Sequence, residues 1–127
     1  MKTLHLFLIL SFSTLLVKAQ TSEIYNNLYQ RTDIFDSAGN KIGYSKQNTL
    51  NNRMEYFDKN GILVTYEKQN DLYKNIAIYD KNGTRIGYKK WNQLVERFDV
   101  FDSKGKLTGH HNYNALYQKW EYTKSVY

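Results

Sequence analysis

The chain contains no cysteine among its 127 residues, and this absence removes several classes of protein. No disulfide can staple the fold, and no thiolate can serve as a nucleophile. A lipoprotein anchor needs a cysteine at the cleavage point, so the chain is not expected to be a lipoprotein. Packing and hydrogen bonds must therefore stabilise the fold without covalent help.

Proline is also absent, whereas tyrosine occurs 12 times. Proline cannot donate a hydrogen bond to a sheet ladder, and tyrosine is enriched in strands. The composition therefore predicts a sheet-rich protein in which nearly every backbone N–H joins a ladder.

The sequence has one long apolar run, at residues 4–17, which follows the positively charged Lys2. The run is about 14 residues long, short of the roughly 20 that a membrane-spanning helix needs. This pattern, with the small residue Ala19 before Gln20, is typical of a cleaved signal peptide. We expect residues 1–19 to be a signal peptide and the protein to be secreted or periplasmic. An uncleaved membrane anchor is the alternative.

Residues 20–127 carry 16 basic and 12 acidic side chains, which are spread along the sequence. Proteins that bind nucleic acid usually concentrate lysine and arginine on one face. We therefore expect no nucleic-acid partner. The length suits a single domain with one modest core, which is expected to be a monomer.

Four aspartates stand 22 residues apart, each preceded by an aromatic residue and followed by a glycine three positions on. Aspartate at the first position of a tight turn accepts hydrogen bonds from the turn backbone, and glycine at the fourth takes a positive φ and forms a bulge. The residues predicted to build these hairpin turns are Asp36, Gly39, Asp58, Gly61, Asp80, Gly83, Asp102 and Gly105.

The segments beside each turn alternate between apolar and polar side chains, as strands with one buried face do. Before the turns, the buried columns are Met54, Ile76, Phe98 and Trp120, then Tyr56, Ile78, Val100 and Tyr122. After the turns, counting by two places Ile42 and Tyr44 on the core face and Gly43 on the other. The glycines in the Gly43 column predict a close approach by backbone or by an aromatic such as Phe57.

A second connection has the form Asn-x-Leu and occurs five times, beginning at Asn26, Asn48, Asn70, Asn92 and Asn114. We expect the asparagine to cap the turn and the leucine to point inward as a plug. Five turns of this kind and four of the aspartate kind indicate five units, one of them split between the chain ends. A linear solenoid would leave two open edges and usually needs polar caps, which neither end resembles. We therefore predict an all-β fold, a closed radial ring of five β-hairpin repeats with the last strand pairing with the first.

The aromatic-Asp-x-x-Gly turns, the Ile42-Gly43-Tyr44 and Ile86-Gly87-Tyr88 strands and the period resemble the five-fold β-flower proteins, small bacterial secreted β-repeat proteins. The resemblance covers residues 20–127. It implies a shallow ring of five hairpin petals with apolar side chains meeting at the axis, and it implies no activity or catalytic residue. Asn60-Gly61 and Asn82-Gly83 carry a weaker resemblance to MORN repeats.

No arrangement typical of catalysis is present. The sequence has no Gly-x-Ser-x-Gly motif and no Ser/His/Asp grouping. The carboxylates of Glu55, Asp99 and Glu121 are better explained as solvated partners of Arg53 and Arg97 than as a glycosidase pair. We predict that the protein is not an enzyme and uses no cofactor.

His110 and His111 are the histidines of residues 20–127. Neighbours on a strand point to opposite faces, so both cannot easily bind one metal ion. Counting by two places His110 toward the axis and His111 on the other side. A single aspartate per turn does not suit calcium. No metal site is expected.

The remaining candidates for ligand or partner binding are positions that break the repeat. Trp91 and Tyr113 stand where other units have glutamine, and they are expected to face away from the apolar side, where exposed aromatics can stack on sugars or anchor a partner. The candidate binding residues are Trp91, Tyr113, His110, His111 and Trp120. The axis is either filled with side chains or an apolar pocket.

We therefore expect a non-enzymatic binding or interaction module whose ligand the sequence does not identify. The alternatives are a carrier of a lipid or small hydrophobe in an axial pocket, and a structural component of the cell envelope or an extracellular layer. The partners that fit these alternatives are an envelope glycan, a lipid or another surface protein.

Overall fold

A computed structural model describes residues 20–125, which form one closed barrel of ten antiparallel strands. The predicted signal peptide, residues 1–19, lies outside the described residues. The strands are β1 (Gln20–Asn26), β2 (Arg31–Phe35), β3 (Lys41–Asn48), β4 (Arg53–Asp58), β5 (Leu63–Asn70), β6 (Asn75–Asp80), β7 (Arg85–Asn92), β8 (Arg97–Asp102), β9 (Leu107–Asn114) and β10 (Lys119–Lys124). Within residues 20–125, no helix is long and apolar enough to cross a bilayer.

Each strand pairs with its neighbours in sequence, and the barrel closes because β10 pairs with β1. The closing register joins Gln20 to Thr123 and Glu23 to Trp120. The all-β class and the predicted pairing of first and last strands are therefore confirmed. All neighbouring strands pair directly, so the sheet is one continuous wall.

The turns from even to odd strands are built around aspartate and lie at the end of the barrel where β1 starts and β10 ends. In the first of them, Asp36 Oδ1 accepts hydrogen bonds from the backbone N–H groups of Ala38 at 3.0 Å and Asn40 at 2.9 Å. The fourth residue has a positive φ, 87° at Gly39, which only glycine adopts easily. We call this end of the barrel the aspartate end.

The turns from odd to even strands lie at the opposite end, and asparagine caps them. Asn26 Oδ1 accepts hydrogen bonds from the N–H groups of Leu28 at 3.0 Å and Tyr29 at 3.2 Å, and Asn26 Nδ2 donates to Asp33 at 2.8 Å. We call this end the leucine end.

The prediction that the leucines of these turns plug the axis is wrong. They are 81–96% exposed and point away from the barrel, at Leu28, Leu50, Leu72, Leu94 and Leu116. The tight four-residue loop keeps each leucine at its tip, and the mouth of a ten-stranded barrel is too wide for so short a loop to fold across.

After each aspartate turn, a β-bulge makes the side chains of the following odd strand point to the face opposite the expected one. Between β2 and β3, Ile34 pairs with Gly43 and Phe35 pairs with Lys41, which leaves Ile42 as the extra residue. An extra residue shifts the alternation by one, so every later side chain on that strand changes face. As a result Gly43 lies on the inner face, and Tyr44 on the outer one.

Tyr44 therefore does not face the core, contrary to the prediction. Its ring stacks on Phe57 on the outer wall, with centroids 5.0 Å apart, and the Arg31 guanidinium lies 4.1 Å from the Tyr44 ring centroid. The equivalent outer pairs are Tyr66 with Tyr79 and Tyr88 with Phe101. The wall thus carries aromatic contacts on its outside as well as apolar side chains inside.

The glycine at position 43 is required by backbone crowding. A Cβ atom there would collide with the carbonyl oxygen of Phe57, and one at Gly87 with the carbonyl oxygen of Phe101. The close approach predicted for this column is present, and at these two positions the neighbour is backbone.

Candidate ligand cavity in the barrel

The axis of the barrel is open. Eight strands enclose a space that side chains just fill, whereas ten enclose a wider one. The innermost layer next to the aspartate end has only small residues, Thr21, Gly43, Thr65, Gly87 and Gly109. A cavity of about 340 Å³ lies there, and its walls include Tyr56, Ile78, Val100 and Tyr122. A smaller cavity of about 150 Å³ shares Tyr56, Thr65, His111 and Tyr122 with it and extends to Ile34.

A ring of polar side chains crosses the interior one layer further from the aspartate end. Each odd strand contributes one member, and we call the set the polar ring: Glu23, Ser45, Glu67, Lys89 and His111. Two ion-pair contacts link four of them, Lys89 Nζ to Glu67 Oε1 at 3.0 Å and His111 Nε2 to Glu23 Oε2 at 2.7 Å. The four paired side chains are each only 11–16% exposed, which shows that the ring is well buried.

The surroundings of the polar ring shift the pKa values of the groups beside it. Burial raises the pKa of Glu23, but the hydrogen bond and charge of His111 and the charge of Lys89 outweigh it, so the net pKa lies below the ordinary value. Burial, then the negative charges of Glu67 and Glu23 and a hydrogen bond to Glu67, hold the pKa of Tyr56 well above its ordinary value. Tyr56 therefore keeps its proton, and its hydroxyl donates a hydrogen bond to Glu67.

One polar atom of the ring has no partner among residues 20–125. The Nδ1 atom of His111 is buried without a hydrogen bond, while its Nε2 atom faces the Glu23 carboxylate. A carboxylate partner favours a proton on Nε2, and in the neutral form of the imidazole Nδ1 is then an acceptor. A ligand hydroxyl or amide N–H could satisfy it, and an unsatisfied buried acceptor costs about 1–3 kcal/mol.

Aromatic side chains line part of the inner wall toward the leucine end. Trp91 packs edge-on against Phe98 with centroids 5.0 Å apart, Phe98 lies 6.1 Å from Trp120, and Trp120 lies 5.5 Å from Tyr113. A third cavity, about 140 Å³, lies between Phe98, Trp120 and the polar ring. The four rings form an arc at this mouth of the barrel.

The arc corrects the predicted orientation of Trp91 and Tyr113. Both are exposed as expected, 44% and 49% respectively, but they lie on the same face as Phe98 and Trp120, the apolar inner face. The bulges before β7 and β9, equivalent to the one that reversed Tyr44, reversed these residues. Trp91, Phe98, Tyr113 and Trp120 stand on β7, β8, β9 and β10 in turn, and Trp120 contacts both Phe98 and Tyr113.

The histidine prediction is reversed for the same reason. His111 faces the interior, and His110 pairs with Asp99 on the outer wall, where its charge helps to lower the pKa of that carboxyl. Burial raises the pKa of Asp99. Hydrogen bonds from Asn92 and Arg97 and the charges of Arg97 and His110 lower it by more, so the net pKa lies below its ordinary value. Of the two histidines, only His111 lines the cavity.

The remaining carboxylates with predicted arginine partners lie on the outer wall. Arg53 contacts Glu55 at 2.6 Å and Arg97 contacts Asp99 at 2.8 Å. Among residues 20–125, no three His, Asp or Glu side chains are grouped so that they could hold a metal ion.

Sequence reasoning missed Glu23, Glu67 and Lys89 as site residues. Their column contains serine, glutamate, lysine and histidine, which is also what a solvent-facing column contains. The signal that could have found them is the bulged turn itself, because counting the extra residue places this column inside.

Comparison with protein-family profiles, curated proteins and solved structures gave no match. The cavity and the surfaces of the barrel are therefore interpreted from their own chemistry.

Proposed function

We propose that this protein is a non-enzymatic binding protein that holds a small ligand inside its barrel. The observation that carries the proposal is the open axis, a cavity of about 340 Å³ next to the polar ring. Small-molecule sites are typically concave, mostly apolar and furnished with a few convergent polar groups, some with perturbed pKa values. Tyr56, Glu23 and His111 supply those groups here.

The chemistry of the walls suggests which ligand fits. Ile34, Ile78 and Val100 offer an apolar surface. Lys89 is paired with Glu67, and the Glu23 carboxylate contacts His111 Nε2, so a strongly charged head group would have to break one of these contacts. The unpaired acceptor at His111 Nδ1 favours a ligand with a hydroxyl or amide N–H. We propose a small, mainly apolar molecule with an uncharged hydrogen-bond donor.

The location of the protein and the repeat organisation of its barrel belong to the same proposal. The apolar run at residues 4–17, which we interpret as part of a signal peptide, supports a secreted or periplasmic location. The aspartate turns and asparagine turns, spaced 22 residues apart in the sequence, support a barrel made of five hairpin units, as the resemblance to β-flower proteins implies.

Fluorescence titration with N-phenylnaphthylamine, an apolar probe with one N–H donor, tests the proposal. The expected result is a saturable rise with one probe per protein. Val100→Trp should fill the cavity and abolish the rise, and His111→Leu should weaken binding about fivefold through loss of one hydrogen bond. Lys68→Trp, on the exposed outer wall, is the matched control. Equal binding by the Val100→Trp variant and the unaltered protein would contradict an interior site.

A second candidate function is the stacking of a glycan on the aromatic arc. The half-exposed rings of Trp91 and Tyr113 favour it, because sugars stack on aromatic faces. A Trp91→Ala and Tyr113→Ala variant should then lose retention on immobilised glycan while keeping the interior probe. Unchanged retention would remove this candidate.

A further inference from the structure

The most exposed apolar side chains of the barrel belong to the five turns of the leucine end. Four of the five leucines are followed by another exposed apolar or aromatic residue, namely Tyr29, Tyr73, Val95 and Tyr117. We call these nine side chains the leucine crown. Scattered exposed leucines are ordinary, but an apolar group of this kind concentrated at one end marks an interaction surface.

The geometry of the crown is that of a flat ring. Each of its five loops has four residues between paired strands, from 27–30 to 115–118. Each ends in a residue with the same left-handed φ, 51–53°, at Gln30, Asn52, Lys74, Glu96 and Gln118. Loops of equal length and conformation on one closed barrel project to similar height, so the leucines can meet a plane together.

A collar of lysines lies on the outer wall behind the crown. Lys46, Lys68 and Lys90 are exposed, each two residues before the asparagine that opens a turn. Nearby carboxylates on this wall are already occupied, because Glu55 pairs with Arg53 and Asp99 with Arg97. The collar therefore adds positive charge on the side of β3, β5 and β7, behind turns that carry the exposed carboxylates of Asp71 and Glu96.

We propose that the leucine end docks on the surface of an anionic lipid bilayer. The lysines lie on the barrel wall, and the leucines and the less exposed tyrosines lie in the turns beyond it, an arrangement that suits phosphates, interface and acyl chains at a membrane surface. A second copy of the chain fits less well, because face-to-face contact would bring two lysine collars together. This inference stands apart from the interior ligand site.

Co-sedimentation with lipid vesicles tests the docking surface. The protein used is the chain from Gln20 to Tyr127, since the closed barrel that the structure describes lies within residues 20–124. Vesicles of phosphatidylcholine mixed with phosphatidylglycerol should bind it, and phosphatidylcholine alone should bind it more weakly. Replacing Leu50 and Leu94 by serine should lower the partition coefficient by about tenfold, through loss of buried apolar surface.

A second variant tests the contribution of the lysine collar to vesicle binding. Substitution of Lys46, Lys68 and Lys90 by glutamine should lower binding to the anionic vesicles by on the order of tenfold to a hundredfold, with little change on phosphatidylcholine alone. The matched control is Ile62→Ser with Leu107→Ser, which removes exposed apolar side chains at the aspartate end. Circular dichroism should show all variants folded, since the altered side chains are exposed.

Three results would overturn the proposal. One is the absence of binding to either vesicle by the unaltered protein. Another is an equal loss of binding in the aspartate-end control. The third is a leucine-dependent dimer in light scattering without vesicle binding, which would make a second copy the occupant of the crown.

Discussion

The chain reverses direction at both ends of the barrel, but the turns of the two ends are built from different side chains. At the aspartate end, a carboxylate oxygen accepts two backbone N–H groups and a glycine takes the left-handed φ. At the leucine end, an asparagine caps the turn, a non-glycine residue takes the left-handed φ, and a leucine projects into solvent. Both solutions satisfy the backbone. The leucine side chains take no part in these hydrogen bonds, and their exposure at one end calls for a functional explanation.

The largest expected effect on stability comes from removing the pairing of β1 with β10, which closes the barrel along its whole length. Deleting residues 119–127 removes β10 and leaves β1 and β9 as open edges. Because each strand relies on two neighbours, the whole barrel should unfold cooperatively and lose its entire stability, on the order of 5–15 kcal/mol. Hydrogen exchange checks this. Persistent protection in β3 to β7 of the truncated chain would indicate units that fold independently, as in a solenoid.

A carboxylate near the leucine end should matter more than one at the aspartate end. Asn92, Arg97 and His110 lower the pKa of Asp99, so its stabilising effect is present above its ordinary pKa and is lost as the pH falls through its folded pKa. Asp99→Asn should cost about 1–3 kcal/mol near neutrality, with the difference from the unaltered protein shrinking in acid. Urea unfolding across pH measures it.

Asp102, at the aspartate end, is the comparison for that prediction. Hydrogen bonds from the backbone of Lys106 and Lys104 lower its pKa, with the charges of the two lysines adding to the effect. Its acid dependence has the same sign as that of Asp99. Because Asp102 lies in a more exposed turn, Asp102→Asn should have the smaller effect, and a larger one would reverse the comparison.

At the leucine end, substitution of a capping asparagine and substitution of an exposed leucine should have clearly different effects on stability. Asn26→Ala removes the acceptor for two turn N–H groups and a donor to Asp33, so it should destabilise the barrel by about 1–2 kcal/mol. Leu28→Ser removes a side chain that contacts mostly water and should change stability by less than about 0.5 kcal/mol. Thermal unfolding of the two variants distinguishes them, and equal losses would mean that the leucine has a packing role.

Substitutions at the left-handed positions of the two ends should change stability in opposite directions. Gly39→Ala places a Cβ at a φ of 87° with no atom within contact distance, so it should cost about 1–2 kcal/mol through backbone strain alone. Lys74→Gly, at a φ of 52°, should stabilise by up to about 1 kcal/mol for the converse reason. Chemical denaturation measures both, and a shift of the same sign in the two variants would contradict the account.

The sequence predicts the closed all-β fold well because the relevant signals are local. Asp36 and Gly39 specify their turn by themselves, and the strand columns on either side of the turns supply the pairing. The closure of β1 with β10 could be inferred because both chain ends carry the strand pattern and neither carries a cap.

The faces of the odd strands could not be predicted by counting in twos, because one extra residue at each bulge reverses them. These shifts misplaced Tyr44, Trp91 and both histidines, and they hid the column of Glu23 and Lys89 among apparently solvated positions. The direction of Leu28 depends on how wide the barrel mouth is, which no local pattern encodes.

Methyl NMR during titration with N-phenylnaphthylamine tests the central claim, that the ligand site is the barrel interior. Shift changes should be confined to interior methyl groups such as those of Ile34, Ile78 and Val100, with the leucine crown unaffected. Changes at Leu50 and Leu94 without changes at Ile78 and Val100 would place binding at the crown and contradict the claim.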